Sequence, residues 1–237
     1  MLRLVFFLLP ILLTDFVNAG CFREHLREAI ALNTARSSLY SSLTDGASRS
    51  VSKLMIETEK MMLSGSYLVD VDHMALRYEK AGIRVTCDSY VSMSLVPRFQ
   101  KRFAEGPVPA AKNYDLRSLR IGKRLSSAFA SQDDAKILSE SLQILDQMKR
   151  EPRLYCMTRH LVESVARIAA LIPLHEQKTQ AYGMKSPRSL HRLMIRGHLV
   201  LVERSRQIDE KAKPLNMAGI PLVCQDVPPI ELPEKIH

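Results

Sequence analysis

The chain has 237 residues, 46% of them hydrophobic but only 6% aromatic, with no tryptophan. That is enough apolar material for a real core, in one domain or two small halves, and it excludes an aromatic core: Leu, Ile, Val and Met must fill it. The formal net charge of +9 favours anionic partners and leaves the fold open.

Residues 1–20 read as a secretory signal. Arg3 supplies a minimal positive start, residues 4–13 form an apolar run too short to span a bilayer, and Val17-Asn18-Ala19 suits a cut after Ala19. Ala19-Gly20-Cys21 also resembles the end of a bacterial lipobox, in which Cys21 would carry lipid. Soluble export is the preferred reading, because Asn18 stands where a lipobox usually has Leu and helical pattern begins directly after Cys21. None of the four Asn residues opens an N-x-S/T sequon, which leans toward a bacterial envelope. The expected location is therefore the periplasm, with a lipoprotein anchored through Cys21 as the alternative.

The first mature helix is expected over residues 22–43, with Phe22, Leu26, Ala29, Ile30 and Asn33 on one side. Thr44-Asp45-Gly46 ends it. A long helix starts near Ala47 or Ser48 and turns Val51, Leu54, Met55, Met61 and Met62 toward a core. Ser64-Gly65-Ser66 interrupts it; the pattern resumes over 68–80 and stops at Gly82, a left-handed cap. Ile83, Val85 and Cys87 then alternate as in a short strand. A loop at 106–109 precedes two helices, one marked by Leu116, Leu119, Leu125, Ala128 and Phe129. The other is capped by Ser131, with Asp133 and Asp134 in its first turn, and closed by Glu151-Pro152. A helix from Cys156 should end at Ile172, before Pro173. Ser186-Pro187 opens a further long helix, and the tail past Cys224 carries Pro228, Pro229 and Pro233, suiting an extended or disordered end.

Three pairs of stretches match in order. CFREHLREAIA from Cys21 matches CMTRHLVESVA from Cys156, RSVSKLMI from Arg49 matches RSLHRLMI from Arg188, and AGIRVTC from Ala81 matches AGIPLVC from Ala218. Of these 26 positions 14 are identical, at offsets of 135, 139 and 137, the drift expected of a duplication whose loops changed length independently. The fold class is therefore mainly α: an internally duplicated helical protein with pseudo-twofold halves, each a helix, a long helix and a short extended arm. The halves are residues 21–97 and 156–237, and the two-helix insert occupies 98–155.

The repeat sorts the cysteines into equivalent pairs, Cys21 with Cys156 and Cys87 with Cys224. In an oxidising compartment bonds are expected, and the repeat favours Cys21–Cys87 and Cys156–Cys224; the symmetric alternative crosses the halves as Cys21–Cys224 and Cys87–Cys156. Each bond within a half closes a loop of about 65 residues, worth roughly 4 kcal/mol in the chain-entropy model.

One chemical pattern occurs twice: H-L-x-E, with His25 and Glu28, then His160 and Glu163. Three residues apart on a helix means one face, and a pseudo-twofold axis would bring both pairs into a two-His, two-carboxylate set suited to a divalent metal. The helical wheel puts each His at the edge of the apolar stripe, where hydrogen bonding to another helix is the plainer role. The shared Arg49-Ser50 and Arg188-Ser189 suit a helix start with an ion pair to another segment, for which Glu28 and Glu163 are candidates. Ser50-Val51-Ser52-Lys53 matches the S-x-x-K of penicillin-interacting enzymes, but no S-D-N or K-T-G accompanies it. Catalysis is not expected. Residues 98–124 hold eight Lys or Arg against Glu105 and Asp115, with Arg117, Arg120 and Arg124 placed on one helix face. An exported protein seldom meets nucleic acid, so the expected partner is an envelope protein or an anionic membrane surface. The expected function is thus non-enzymatic binding in the envelope, and the alternative is a metal protein built on the His-x-x-Glu faces.

Overall fold

A computed structural model describes residues 21–41, 47–90, 119–149, 155–218, 220, 223 and 232–233. Within them lie seven α-helices and no strand: α1 Cys21–Ser41, α2 Ala47–Ser64, α3 Ser66–Glu79, α4 Ile121–Ala130, α5 Asp134–Met148, α6 Cys156–Ala181 and α7 Arg188–Met217, with a short 3-10 turn at Cys87–Ser89. The export signal and lipobox, the stops at 44–46 and 151–152, the loop at 106–109, Leu116, Arg117, Cys224, Pro228 and Pro229 lie outside the described residues.

Two helical hairpins organise the molecule. α1 packs along α2, and α6 along α7; the pairs join where α2 and α3 lie on α7. The insert is mounted on the second hairpin, α5 against α6 and α4 against both α5 and α7. The helical period explains these faces. Phe22 and Leu26 of α1, Leu68, Val71, Ala75 and Tyr78 of α3, Val165, Ile168 and Ile172 of α6, and Leu190, Met194 and Ile195 of α7 fill one core. Burying such a Leu, Ile, Val, Met or Phe contributes about 1.5–3 kcal/mol. Of the residues expected inward on α2, Val51, Met55 and Met62 are buried, whereas Met61, 100° round the helix from Met62, is 45% exposed.

The cap after α3 is formed as its sequence suggests. Gly82 has φ 78°, a left-handed conformation that glycine adopts without steric cost, and the N–H of buried Ile83 returns to the Tyr78 carbonyl at 2.9 Å. In the second half the Ile220 N–H returns to the Leu215 carbonyl, also five residues back, at 2.8 Å. The expected short strand is absent. Val85 N–H bonds the Ile83 carbonyl two residues back and Asp88 N–H bonds that of Arg84, so the arm coils; among the described residues there is no strand for it to pair with. It lies on α6, where Arg167 Nε donates to the Asp88 carbonyl at 2.8 Å. Ile83 and Val85 are both buried; the alternation was a packing signal, not a pairing one.

The interruption at Gly65 separates α2 from α3. It falls where the repeat offset drops from 139 (Arg49 to Arg188) to 137 (Ala81 to Ala218), so the first half has two extra residues in the stretch that α7 crosses as one unbroken helix. Elsewhere the expected punctuation shifts. α6 does not stop at Ile172 but runs through Pro173 to Ala181. Pro173 is itself exposed while Leu171, Ile172, His175 and Thr179 around it are buried, and that packing outweighs the roughly 3 kcal/mol a helical proline costs. Asp133, not Ser131, caps α5, its Oδ1 accepting from Ala135 N and Lys136 N. Ser131 instead ends α4, with its hydroxyl on the Ala128 carbonyl. Ser186 Oγ accepts from Arg188 N at 3.1 Å, so α7 starts one residue past Pro187.

Cys21 and Cys87 form a disulfide, with Cα atoms 5.1 Å apart. This is the first of the pair of bonds expected within the halves. Cys156 is also disulfide-bonded.

Candidate functional site

Four helix faces and one arm residue line a partly open cavity between the hairpins. α1 supplies Phe22, His25, Leu26 and Ala29; α2 supplies Met55, Thr58, Glu59 and Met62; α6 supplies Met157, His160 and Leu161; α7 supplies His198, Leu201, Ser205 and Ile208; and Tyr90 closes one side. The three- and four-residue spacings put each set on one face of its helix. The cavity volume is about 70 Å³, well beyond the ~10–15 Å³ a single water needs. The Cys21–Cys87 bond fixes the arm to the start of α1, three residues before Tyr90.

The matched sequence stretches meet in the lining. Matched positions face the cavity together: Phe22 with Met157, His25 with His160, and Leu26 with Leu161. The offset of the Arg-Ser stretch, carried further along α2 and α7, also pairs Glu59 with His198 and Met62 with Leu201.

Aromatic rings form a continuous run along this wall. Phe22 stacks on Tyr90 with centroids 4.6 Å apart and planes 8° from parallel, and Tyr90 lies 4.9 Å from His25. The His25 and His160 rings are 6.1 Å apart at 23°, and His198 lies 6.0 Å from Phe22 and 5.9 Å from Tyr90. The His198 Nδ1 donates to the Met194 carbonyl at 2.8 Å, which leaves its Nε2 as the unprotonated nitrogen of a neutral ring. Burial lowers the pKa of His198 against the effect of that hydrogen bond. Burial, with His25, His198 and Arg159 nearby, pushes His160 down to about 3. Both rings are neutral near pH 7. The His160 Nδ1 is buried without a hydrogen bond.

The sequence-derived sites divide. His25 and His160 meet; Glu28 and Glu163 do not line the cavity, and Glu163 pairs with Arg159 on its own helix at 3.3 Å. Among the described residues no three His, Cys, Asp or Glu side chains are placed to hold a metal ion together, so the geometry gives the four-residue His/Glu set no support. Arg188 does join segments, but to Asp134 and Glu176, at 3.2 and 3.1 Å, rather than to either predicted Glu. Lys53 of the S-x-x-K stretch is exposed and lies 3.9 Å from Glu57. In the insert, α4 begins only at Ile121. Arg120 stands ahead of it with φ 48°, so it does not share a helix face with Arg124. Arg124 is held by Glu140 at 2.9 Å and by Gln147 and Gln143 at 3.1 and 3.2 Å.

Two buried polar groupings were not anticipated. Asp209 of α7, fully buried, accepts from Met157 N, Thr158 N and Thr158 Oγ1. His175 bridges His191 Nε2 at 2.8 Å and Asp88 Oδ2 at 3.3 Å. Glu59, His198 and Tyr90 were also missed at the cavity; the first two were reachable by extending the Arg-Ser offset along both long helices. Among the described residues no helix is long and apolar enough to cross a membrane. Comparison with protein-family models, curated proteins and solved structures finds no match.

Proposed function

We propose that this is an exported, non-enzymatic binding protein of the bacterial envelope, duplicated from one helical unit, whose ligand sits where the two halves meet. A pseudo-twofold axis then passes between His25 and His160, and the second disulfide joins Cys156 to Cys224. The observation that carries the reading is that three pairs of matched positions, on α1 and on α6, line one cavity. A duplicated scaffold brings equivalent faces together at its axis, and a mostly apolar cavity with a few convergent polar groups is the usual form of a small-ligand site. The first test is thermal unfolding with indole, a small apolar probe. The wild type should gain Tm with saturating indole, as ligand linkage requires, and Ala29→Leu, which fills the lining, should abolish the gain. A wild type indifferent to indole would sink the reading.

Contact with an anionic envelope surface or an acidic partner protein is the role this reading gives the basic insert. Arg120 and Lys123, exposed beside Arg124, support it.

A further inference from the structure

We propose that Asp88, His175, His191 and the Pro187 carbonyl form a proton-operated latch, which His175 holds closed as an imidazolium and which opens, freeing the end of the arm from α6, when that proton is lost. The direction of every bond follows from one end of the chain. The Pro187 carbonyl, 2.9 Å from His191 Nδ1, can only accept, so that nitrogen carries a proton. Burial keeps His191 neutral, so its Nε2 is a lone pair and His175 Nδ1, at 2.8 Å, donates to it. A neutral His175 would then turn a bare lone pair on its Nε2 toward Asp88 Oδ2 at 3.3 Å. Two acceptors would face each other with no proton between them, so one of the two must hold a further proton. The Asp88 side chain is 23% exposed and that of His175 is 0% exposed, and the Arg84 guanidinium lies 3.9 Å from the other Asp88 oxygen. Solvent and Arg84 both favour the Asp88 carboxylate. The proton therefore sits on His175, and its bond to Asp88 is charge-assisted.

The surroundings leave that charge dependent on one partner. The other charged groups in touch with the chain are Arg84 on the arm and Arg167 on α6, whose Nε donates to the Asp88 carbonyl. Both are cations, so Asp88 is the one anion among these groups that offsets the buried imidazolium. When His175 gives up its proton, through the partly exposed carboxylate to water, attraction across the 3.3 Å gap becomes repulsion between two acceptors. Cys87 stays bonded to Cys21, which limits the movement to residues beyond it. Tyr90, stacked on Phe22 at 4.6 Å, is two residues past Asp88 and moves with it. The latch acts on this wall of the cavity whatever the cavity binds, and so stands apart from the ligand reading.

Proton–nitrogen correlation spectra of the histidine rings, recorded on the intact, disulfide-bonded protein from pH 7 to 9.5, test the latch. At pH 7 the wild-type His175 should carry a proton on both ring nitrogens. As pH rises it should lose the one on Nε2, and the nuclear Overhauser contact between the Phe22 and Tyr90 rings should be lost in step. Asp88→Asn has nearly the same shape and can donate its amide N–H to Nε2, which satisfies a neutral His175. In that variant His175 should carry one ring proton at pH 7, and the Phe22–Tyr90 contact should persist to pH 9.5. A wild-type His175 with a single ring proton at pH 7 overturns the proposal, as does one that keeps both protons to pH 9.5. A Phe22–Tyr90 contact that survives loss of the proton, or an Asp88→Asn protein whose His175 stays doubly protonated, overturns it too. The wild-type titration decides alone should the variant not fold.

Discussion

The carboxylate of Asp209 on α7 caps the first turn of α6 through Thr158, accepting from its backbone N–H at 2.8 Å and its hydroxyl at 2.7 Å, with Met157 N–H adding a third bond at 3.1 Å. The repeat places Asp72 opposite Asp209 and Arg23 opposite Thr158, and those two residues form an ion pair at 3.0 Å. Asp72 on α3 and Asp209 on α7, matched positions in the sequence, thus each hold the start of a neighbouring helix, α1 and α6, with different chemistry.

Asp209 has a pH signature of its own. Burial pushes its pKa up to about 7, against the three hydrogen bonds that favour the carboxylate. A raised carboxyl pKa means the folded state holds the proton more tightly than the unfolded one, whose value is near 3.8. This group's contribution is therefore greatest below pH 4 and is lost as pH rises toward 7, with about 1.4 kcal/mol at stake for each tenfold change in proton affinity. Urea unfolding of wild type and Asp209→Asn from pH 4 to 8 checks it: their difference should shift in favour of the variant as pH rises. Asp209→Ala should cost about 1–3 kcal/mol at every pH, because it strands the α6 donors.

The buried histidines act with opposite sign. Burial, with His175 close by, pushes His191 down to about 3, and burial does the same to His160. The unfolded chain takes up these protons near pH 6.5, so stability is complete above that value and falls as pH drops from about 6.5 toward 3. His160→Phe should flatten this acid loss in denaturant titrations between pH 7 and 4. His191→Phe should flatten it too but also destabilise at pH 7 by about 1–3 kcal/mol. The His191 Nδ1 donates to the Pro187 carbonyl at 2.9 Å, which makes its Nε2 the acceptor for His175 Nδ1; the substitution strands that buried N–H. An acid slope unchanged in both variants would refute the assignment.

Helix content, the Gly65 break, the Gly82 cap and the Cys21–Cys87 bond were legible because each rests on local chemistry or on the repeat. The errors arose where distant packing overrode a local signal. Pro173 has every local reason to end α6, and the buried residues around it keep the helix going. Ile83 and Val85 alternate like a strand, and their burial under a coiled arm produces the same pattern. The cavity was half legible: the duplicated His pointed to His25 and His160, whereas Tyr90 enters through the disulfide-held arm and Glu59 through the crossing of α2 with α7, neither of which has a spacing signature. Arg124 shows the converse, a residue of a basic run that Glu140, Gln143 and Gln147 pair and partly cover.

That distinction separates the cations of the insert. Arg120 and Lys123 are exposed, whereas Arg124 sits in its network between α4 and α5. Sedimentation with phosphatidylglycerol vesicles should show binding at low salt that fades at 0.5 M, as screening of surface charge demands. The double substitution Arg120→Ala and Lys123→Ala should weaken it without changing Tm. Arg124→Ala should lower stability by about 1 kcal/mol more than it weakens vesicle binding. Sedimentation that is absent at low salt, or unaffected by the double substitution, would remove the surface-binding role.

The Cys21–Cys87 bond should matter to the site as well as to the fold. Its separation of 66 residues corresponds to roughly 4 kcal/mol of chain entropy removed from the unfolded state. It also ties the arm carrying Tyr90 to the helix carrying Phe22 and His25, whose rings meet it at 4.6 and 4.9 Å. The double substitution Cys21→Ser and Cys87→Ser should therefore lower stability by about that amount and reduce the indole response at temperatures where the protein is still fully folded, because Tyr90 no longer closes the cavity. Opening the other bond with Cys156→Ser and Cys224→Ser should give a comparable loss of stability and leave the indole response of the remaining folded protein intact, since its arm does not carry Tyr90. Peptide mapping without reductant should recover the linkages 21–87 and 156–224; crossed linkages between the halves would overturn both the pairing and this account of how Tyr90 is held at the cavity.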